Sequence, residues 1–273
     1  LSYKMLQINK KIMKIKKTLN QKKRKPYFSI ITVVKNDENN IGKTIASISS
    51  QSFKNFEYII IDGNSNDNTL KNIKKRKKNF DTLISEKDKG IYYAMNKAAK
   101  ISSGKIIVYV NSGDELTKNA LKIIQKKFEE SKIIDYVFGT VRRYYTKKVI
   151  LKYGININRL NYNFDFATSH STGFYIKRKT FKKLKYFNTK YKYSADYDLY
   201  YRLIIKNKTY GNSTKKNELI GIMKSGGYSS KISFFEHLKE EMKIRYDNGQ
   251  NLLLIILIFF NALIKNKIKT FKL

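Results

Sequence analysis

Over residues 27–34 the chain reads YFSIITVV, a nearly unbroken apolar run of strand length. FEYIIID over 56–62, DTLISE over 81–86 and KIIVYV over 105–110 repeat that signal. The segments between them carry helical spacing. NIGKTIASISSQ over 40–51 puts Ile41, Ile45 and Ile48 on one face. NDNTLKNIKKRKK over 66–78 predicts a helix entered through Asn66 or Asp67 as N-cap. GIYYAMNKAAKIS over 90–102 predicts a helix that Gly104 stops, and TKNALKIIQKKFEES over 117–131 predicts another. Strand and helix alternate four times, so the fold class expected is α/β with a mostly parallel, doubly wound sheet.

Beyond residue 133 the alternation ends. IDYVFGTVRRYY and KKVILKYG read as strands of a hairpin, GFYIKRKTF as a strand running into a helix, and DYDLYYRLI over 196–204 as a helix. Residues 205–230 read as loop-rich, with a flexible Gly-Ser turn, SGGYSS, at 225–230. Residues 231–247 read as a polar helix, and nine consecutive apolar residues follow over 252–260. That run is short of the about 20 apolar residues a spanning helix needs. Lys265, Lys267, Lys269 and Lys272 follow it, a pattern that suits an anionic membrane interface as well as packing on the domain. At the other end Met5, Ile8, Ile12, Ile15 and Leu19 recur at helical steps among ten Lys or Arg and no acid in residues 1–25. The expected organisation is a basic amphipathic extension over 1–25, one α/β domain over 26–230 and C-terminal helices over 231–273. Leu rather than Met at position 1 is what a fragment would show.

Composition narrows the chemistry. The chain has 273 residues, enough to bury a sizeable core, and 41% hydrophobic content, which argues against disorder. It has no cysteine, which excludes disulfides, thiol catalysis and thiolate zinc sites. Two histidines, His170 and His237, exclude a histidine-rich metal centre. The 57 Lys and Arg against 21 Asp and Glu give +36, which speaks to anionic partners and not to fold. The lysines are dispersed and no helix-turn-helix or RNA-binding signature appears, so no specific nucleic-acid partner is expected.

In so basic a chain the places of the acids are informative. Open α/β sheets bind ligands beyond the carboxyl ends of their strands. The second strand ends in Asp62, the third runs into Glu86 and Asp88, and the fourth runs through Asn111 to Asp114. Carboxylates gathered on one edge suit sugar hydroxyls or a hard cation. Asp114, on a tight Ser-Gly turn, is the candidate ligand for Mg²⁺ or Mn²⁺. The phosphate-cradling Gly-x-x-x-x-Gly-Lys loop and the dinucleotide Gly-x-Gly-x-x-Gly fingerprint are both absent.

FSIITVVKNDENNIGKTIASISSQSFKNFEYIIIDGNSNDNT, SEKDKGIYYAMNKAAKISSGKIIVYVNSGDEL and SADYDLYYRL, taken in order, resemble glycosyltransferases of family 2 with the GT-A fold, most of all the bacterial branch that builds surface polysaccharides. The resemblance covers about residues 27–204. It implies an inverting enzyme that moves a sugar from a nucleotide-sugar, a UDP-sugar first of all, to a lipid-linked or surface-polysaccharide acceptor. It places Val33 and Asn36 along the nucleotide base, Asp62 on the uracil or ribose, and Asp88 and Asn96 beside the nucleotide and its phosphates. The Asp-x-Asp metal motif falls on Asn111-Ser112-Gly113-Asp114, where Asp114 alone keeps its acid and the metal-ligand role and Asn111 counts among the residues that bind the nucleotide-sugar. Tyr93 stands where the branch commonly has an acid. The catalytic base falls on Asp196, preceded by Ala195 in place of the usual Glu. His170 borders the acceptor or the metal. The expected location is cytoplasmic and peripheral, at the inner face of the cell membrane. Two other readings stay open: a basic nucleic-acid- or membrane-binding protein without catalysis, and a nucleotidyltransferase on a related sheet.

Overall fold

The computed structural model describes residues 25–145, 148–155, 160, 171–224 and 232–271. The 1–24 part of the N-terminal extension, His170 and the Gly-Ser turn lie outside the described residues. The first half of the chain builds β1 (Phe28–Val34), α1 (Ile41–Ser49), β2 (Phe56–Asp62), α2 (Thr69–Lys74), β3 (Thr82–Ser85), α3 (Ile91–Ile101), β4 (Ile106–Tyr109), a two-residue strand β5 (Glu115–Leu116) and α4 (Ala120–Glu130). The second half adds β6 (Tyr136–Phe138), β7 (Thr140–Tyr144), β8 (Val149–Lys152), β9 (Phe174–Lys177), α5 (Arg178–Lys183), α6 (Ala195–Tyr200), β10 (Gly211–Ser213), β11 (Leu219–Lys224), α7 (Phe234–Asp247) and α8 (Leu252–Phe271).

Seven strands form one sheet in the order β10-β6-β9-β4-β1-β2-β3. β1 pairs in parallel with β2 and β4, and β2 with β3, as the βα alternation requires. β9 alone reverses direction, antiparallel to both β4 and β6. The expected hairpin forms between β7 and β8, in a second sheet ordered β5-β11-β7-β8. β1 is buried along its whole length, because helices cover both sheet faces. On one face Ile30, Ile41, Ile45, Ile60 and Val108 share a core; on the other, Ile31, Ile59, Ile107, Met95 and Phe187 share a second.

Two local expectations need correction. Residues 205–230 hold β10 and β11 and not only loop. β10 is a short polar Gly-Asn-Ser edge strand without alternation, and the apolar LIGIM of β11 follows directly on the polar run Thr-Lys-Lys-Asn-Glu, which hides it. The helix expected over 66–78 spans only Thr69–Lys74, followed by a separate 3-10 turn at Lys77–Asn79. Its N-cap position is Asn68, whose side chain makes no cap. Asp67 instead accepts the Thr69 N–H at 2.9 Å from one oxygen and the Glu38 N–H at 3.2 Å with the other, and so ties two loops together.

Candidate active site

The carboxyl ends of β1, β2, β3 and β4 meet at one edge of the sheet. After β1 the chain turns through Asn36 at φ 51°, a left-handed conformation that asparagine tolerates. Asn36 N–H donates to Ser65 Oγ at 2.9 Å, and Asn36 Oδ1 accepts the Asn66 N–H at 3.0 Å. The neighbouring Val33 is a core residue, packed with Ile61 and Met95.

Asp62, fully buried at the end of β2, has both oxygens engaged. Oδ1 accepts Ser65 Oγ–H at 2.5 Å; Oδ2 accepts Ser85 Oγ–H at 2.6 Å and Ser65 N–H at 3.2 Å. Its first task is therefore to lock the β2 and β3 exits together. Beyond β3, Lys97 of α3 pairs with Asp88 at 2.6 Å and with Glu86. Burial works against the ammonium, but the hydrogen bonds it donates to both carboxylates outweigh it and hold the lysine above its ordinary pKa. Among the described residues the buried Asp88 Oδ2 has no hydrogen-bond partner. A buried acceptor without a donor carries a desolvation cost, which a ligand N–H or O–H at that point removes.

The turn after β4 is the most elaborate of the four. Asp114 N–H donates to Asn111 O at 3.0 Å, and Gly113 takes φ 91°, which its missing Cβ permits. Thr44 of α1 receives the Gly113 N–H at 3.0 Å and donates to Asp114 O at 2.8 Å. The Asp114 carboxylate, 8% exposed, accepts Thr172 Oγ–H at 2.6 Å from the short helical turn Ser171–Gly173 that precedes β9. Asn111 donates to Ser171 Oγ at 3.1 Å, and its buried Oδ1 has no hydrogen-bond partner among the described residues. Asp37, from the β1 loop, accepts Ser112 Oγ–H at 2.6 Å. Asp37 was missed in the sequence, although it is the first acid beyond β1 and the same strand-end rule that found Asp62, Asp88 and Asp114 points to it.

These residues fit a small hard cation. The Asp114 carboxylate and Asn111 Oδ1 are oxygen donors of one turn, and a second carboxylate is bonded to that turn. Mg²⁺ and Mn²⁺ take few protein oxygens and complete their shells with phosphate and water. Among the described residues no group of three His, Asp or Glu forms a self-sufficient cage.

Asp196 stands in the first turn of α6, where its Oδ1 accepts the Tyr197 N–H at 2.9 Å. Tyr92 of α3 reaches the same oxygen at 3.1 Å. Asp198, two residues on, pairs with Arg202 at 2.7 Å. Asn96 is not drawn into this edge: its amide bridges the backbone of Phe187, donating to O at 2.8 Å and accepting from N at 3.0 Å.

Residues 29–194 match the family model described as Glycosyl transferase family 2. The chain belongs to that family. An uncharacterized glycosyltransferase of Methanocaldococcus jannaschii is 30% identical over 193 residues, 66% of this chain and 65% of that protein. An Escherichia coli UDP-Glc:alpha-D-GlcNAc-diphosphoundecaprenol beta-1,3-glucosyltransferase is 28% identical over 136 residues, 50% of this chain and 53% of its own length. The chain thus spans less than two thirds of either relative. Among solved structures, Staphylococcus aureus TarS 1-349 in complex with UDP-GlcNAc superposes with a TM-score of 0.65 at 17% identity, over 86% of this chain and 71% of that one. A Pyrobaculum calidifontis mannosyltransferase in complex with GDP-Man and Mn²⁺ gives 0.61 at 15%, over 87% and 69%. The fold of this family 2 chain is of the GT-A type.

Proposed function

We propose that the chain is an inverting glycosyltransferase that takes a nucleotide-sugar, a UDP-sugar first, and glycosylates a lipid-linked or surface-polysaccharide hydroxyl. The observation that carries this reading is the β4 turn, where a buried carboxylate and a buried amide oxygen without a partner among the described residues share a sheet edge with Asp37, Asp62 and Asp88. Relatives and neighbours named for UDP-Glc, UDP-GlcNAc and GDP-Man support a nucleotide-sugar donor.

In this reading the loops after β1 and β2, joined through Asn36, Ser65 and Asn66, seat the nucleoside, and Asp88 Oδ2 accepts a hydrogen bond from the donor. Asp114 and Asn111 would hold Mg²⁺ or Mn²⁺, which supplies positive charge against the diphosphate. Asp196 takes the proton of the acceptor hydroxyl as its oxygen attacks the anomeric carbon; the nucleoside diphosphate leaves from the other face, and the configuration inverts.

The location that suits such an acceptor is the inner face of a membrane. Among the described residues no helix is long and apolar enough to cross one. α8 instead buries Ile255 and Ile258 while exposing Leu252, Leu253, Ile256, Leu257, Phe260 and Ile264 along one stripe. No acid occurs over 248–273, so the stripe and its lysines match an anionic lipid surface.

The test is turnover of a panel of UDP- and GDP-sugars, with and without Mn²⁺, by the wild type and Asp196→Asn. The expected outcome is product from one donor class and a loss of about 100-fold or more in kcat in the variant with donor KM little changed. No turnover or hydrolysis of any donor by the wild type would defeat the assignment.

A further inference from the structure

The mechanism above uses Asp196 and leaves unexplained the network that surrounds it. The three residues before α6 direct their backbone N–H groups at one carboxylate. Glu240 of α7 accepts Lys192 N–H with Oε1 and the N–H groups of Tyr193 and Ser194 with Oε2, each at 2.7 Å. Three charge-assisted bonds from consecutive amides fix a backbone far more tightly than a turn would by itself. Ser194 is held a second time, its Oγ lying 3.2 Å from His237 Nδ1.

The segment so fixed presents the Tyr193 carbonyl to Tyr92. The Tyr92 hydroxyl is 3.0 Å from Tyr193 O and 3.1 Å from Asp196 Oδ1, so its single hydrogen has two acceptors within reach. Tyr92 is buried, and burial first, then the nearby Asp196 charge, keep its hydroxyl protonated far above neutral pH. It is therefore never the base itself.

Resting on the assignment of Asp196 as base, we infer that Tyr92 is a two-position positioning residue for that base and that Glu240 fixes the pivot on which it works. While Asp196 is a carboxylate, the Tyr92 O–H donates to Oδ1, orients the side chain and favours its charged form. Once Asp196 has taken the acceptor's proton, the carboxylic acid donates to Tyr92 Oη and the tyrosine hydrogen rotates onto Tyr193 O. No covalent bond of the tyrosine changes; the O–H turns about its ring bond. Both protonation states of the base are thus hydrogen-bonded inside a site that buries Tyr92 and Tyr200 around it.

The experiment compares pH–kcat profiles, donor KM and melting temperature for the full chain and for Tyr92→Phe, Glu240→Gln and Asp196→Asn. In Y92F the carboxylate loses a donor, so its pKa rises. The acid limb then moves to higher pH, and kcat falls about 10- to 100-fold at unchanged donor KM. In E240Q an NH₂ replaces one accepting oxygen; kcat falls, donor KM holds, and the Y92F–E240Q double variant loses less than the product of the two single losses. The position of the acid limb does not depend on the fraction of folded enzyme, so it reads positioning apart from stability. An acid limb left in place in Y92F overturns the inference, as does full additivity of the pair. If D196N keeps wild-type kcat, the base assignment itself falls; if D196N is inactive while Y92F and E240Q match the wild type, only the network does.

Discussion

Asp37 and Asn96 show what a place in the sequence does and does not say about a side chain. Asp37 is bonded to the turn that carries Asp114, through Ser112. Removing such a supporting partner typically weakens metal binding by about 10- to 100-fold. Asp37→Ala is expected to raise the Mn²⁺ concentration for half-maximal activity by that order while leaving the melting temperature close to wild type; titration of activity with Mn²⁺ checks it. The rule that strand ends carry the site found the places of Asp62, Asp88 and Asp114 because parallel β topology fixes where a strand ends. It could not give orientation. Asn96 lies one turn along α3 from Tyr92, yet its amide spans the Phe187 backbone while Tyr92 reaches Asp196. Which of two neighbours on a helix faces the chemistry depends on what packs opposite, and here that element comes nearly a hundred residues later.

At the scale of elements, apolar periodicity read β1 to β4, α1, α3 and α4 well, because those elements are fixed by burial on one or two faces, whereas it made the polar α2 too long. α7 shows the limit. It was legible as a polar helix, with a capping box in which Ser233 and Glu236 exchange hydrogen bonds. Beside the buried Leu238 and Ile244, its hold on the domain is polar: Glu240 gathers three amides, and the fully buried Arg245 lies over the rings of Tyr197 and Tyr201 and donates to Leu160 O at 2.6 Å. A hydrophobic pattern gives no weight to such contacts. α8 has the opposite character, with Leu253 67% exposed on an apolar stripe. The full chain is expected to sediment with vesicles containing phosphatidylglycerol and less with pure phosphatidylcholine, and less again in high salt. Leu253→Glu with Leu257→Glu should abolish that binding without lowering kcat on a soluble acceptor. Equal binding by wild type and variant in the vesicle assay would remove the membrane role of α8, and a concentration-dependent dimer lost in the variant would assign the stripe to a second copy.

For the whole molecule, the strand order has a consequence in time. β9 fills the place between β4 and β6, yet it leaves the ribosome only after Phe174–Lys177 has been made. Until then β4, whose four residues are all buried in the finished fold, is the bare margin of a four-stranded sheet. Such a margin of unpaired N–H and C=O groups invites pairing with other chains. A chain truncated after residue 133 is expected to accumulate as insoluble protein, and one carried through residue 224 to stay soluble; fractionation of the two after expression decides it. The centre of this sheet closes only when β9 arrives, so a nascent chain must shelter β4 until residues 174–177 have been made.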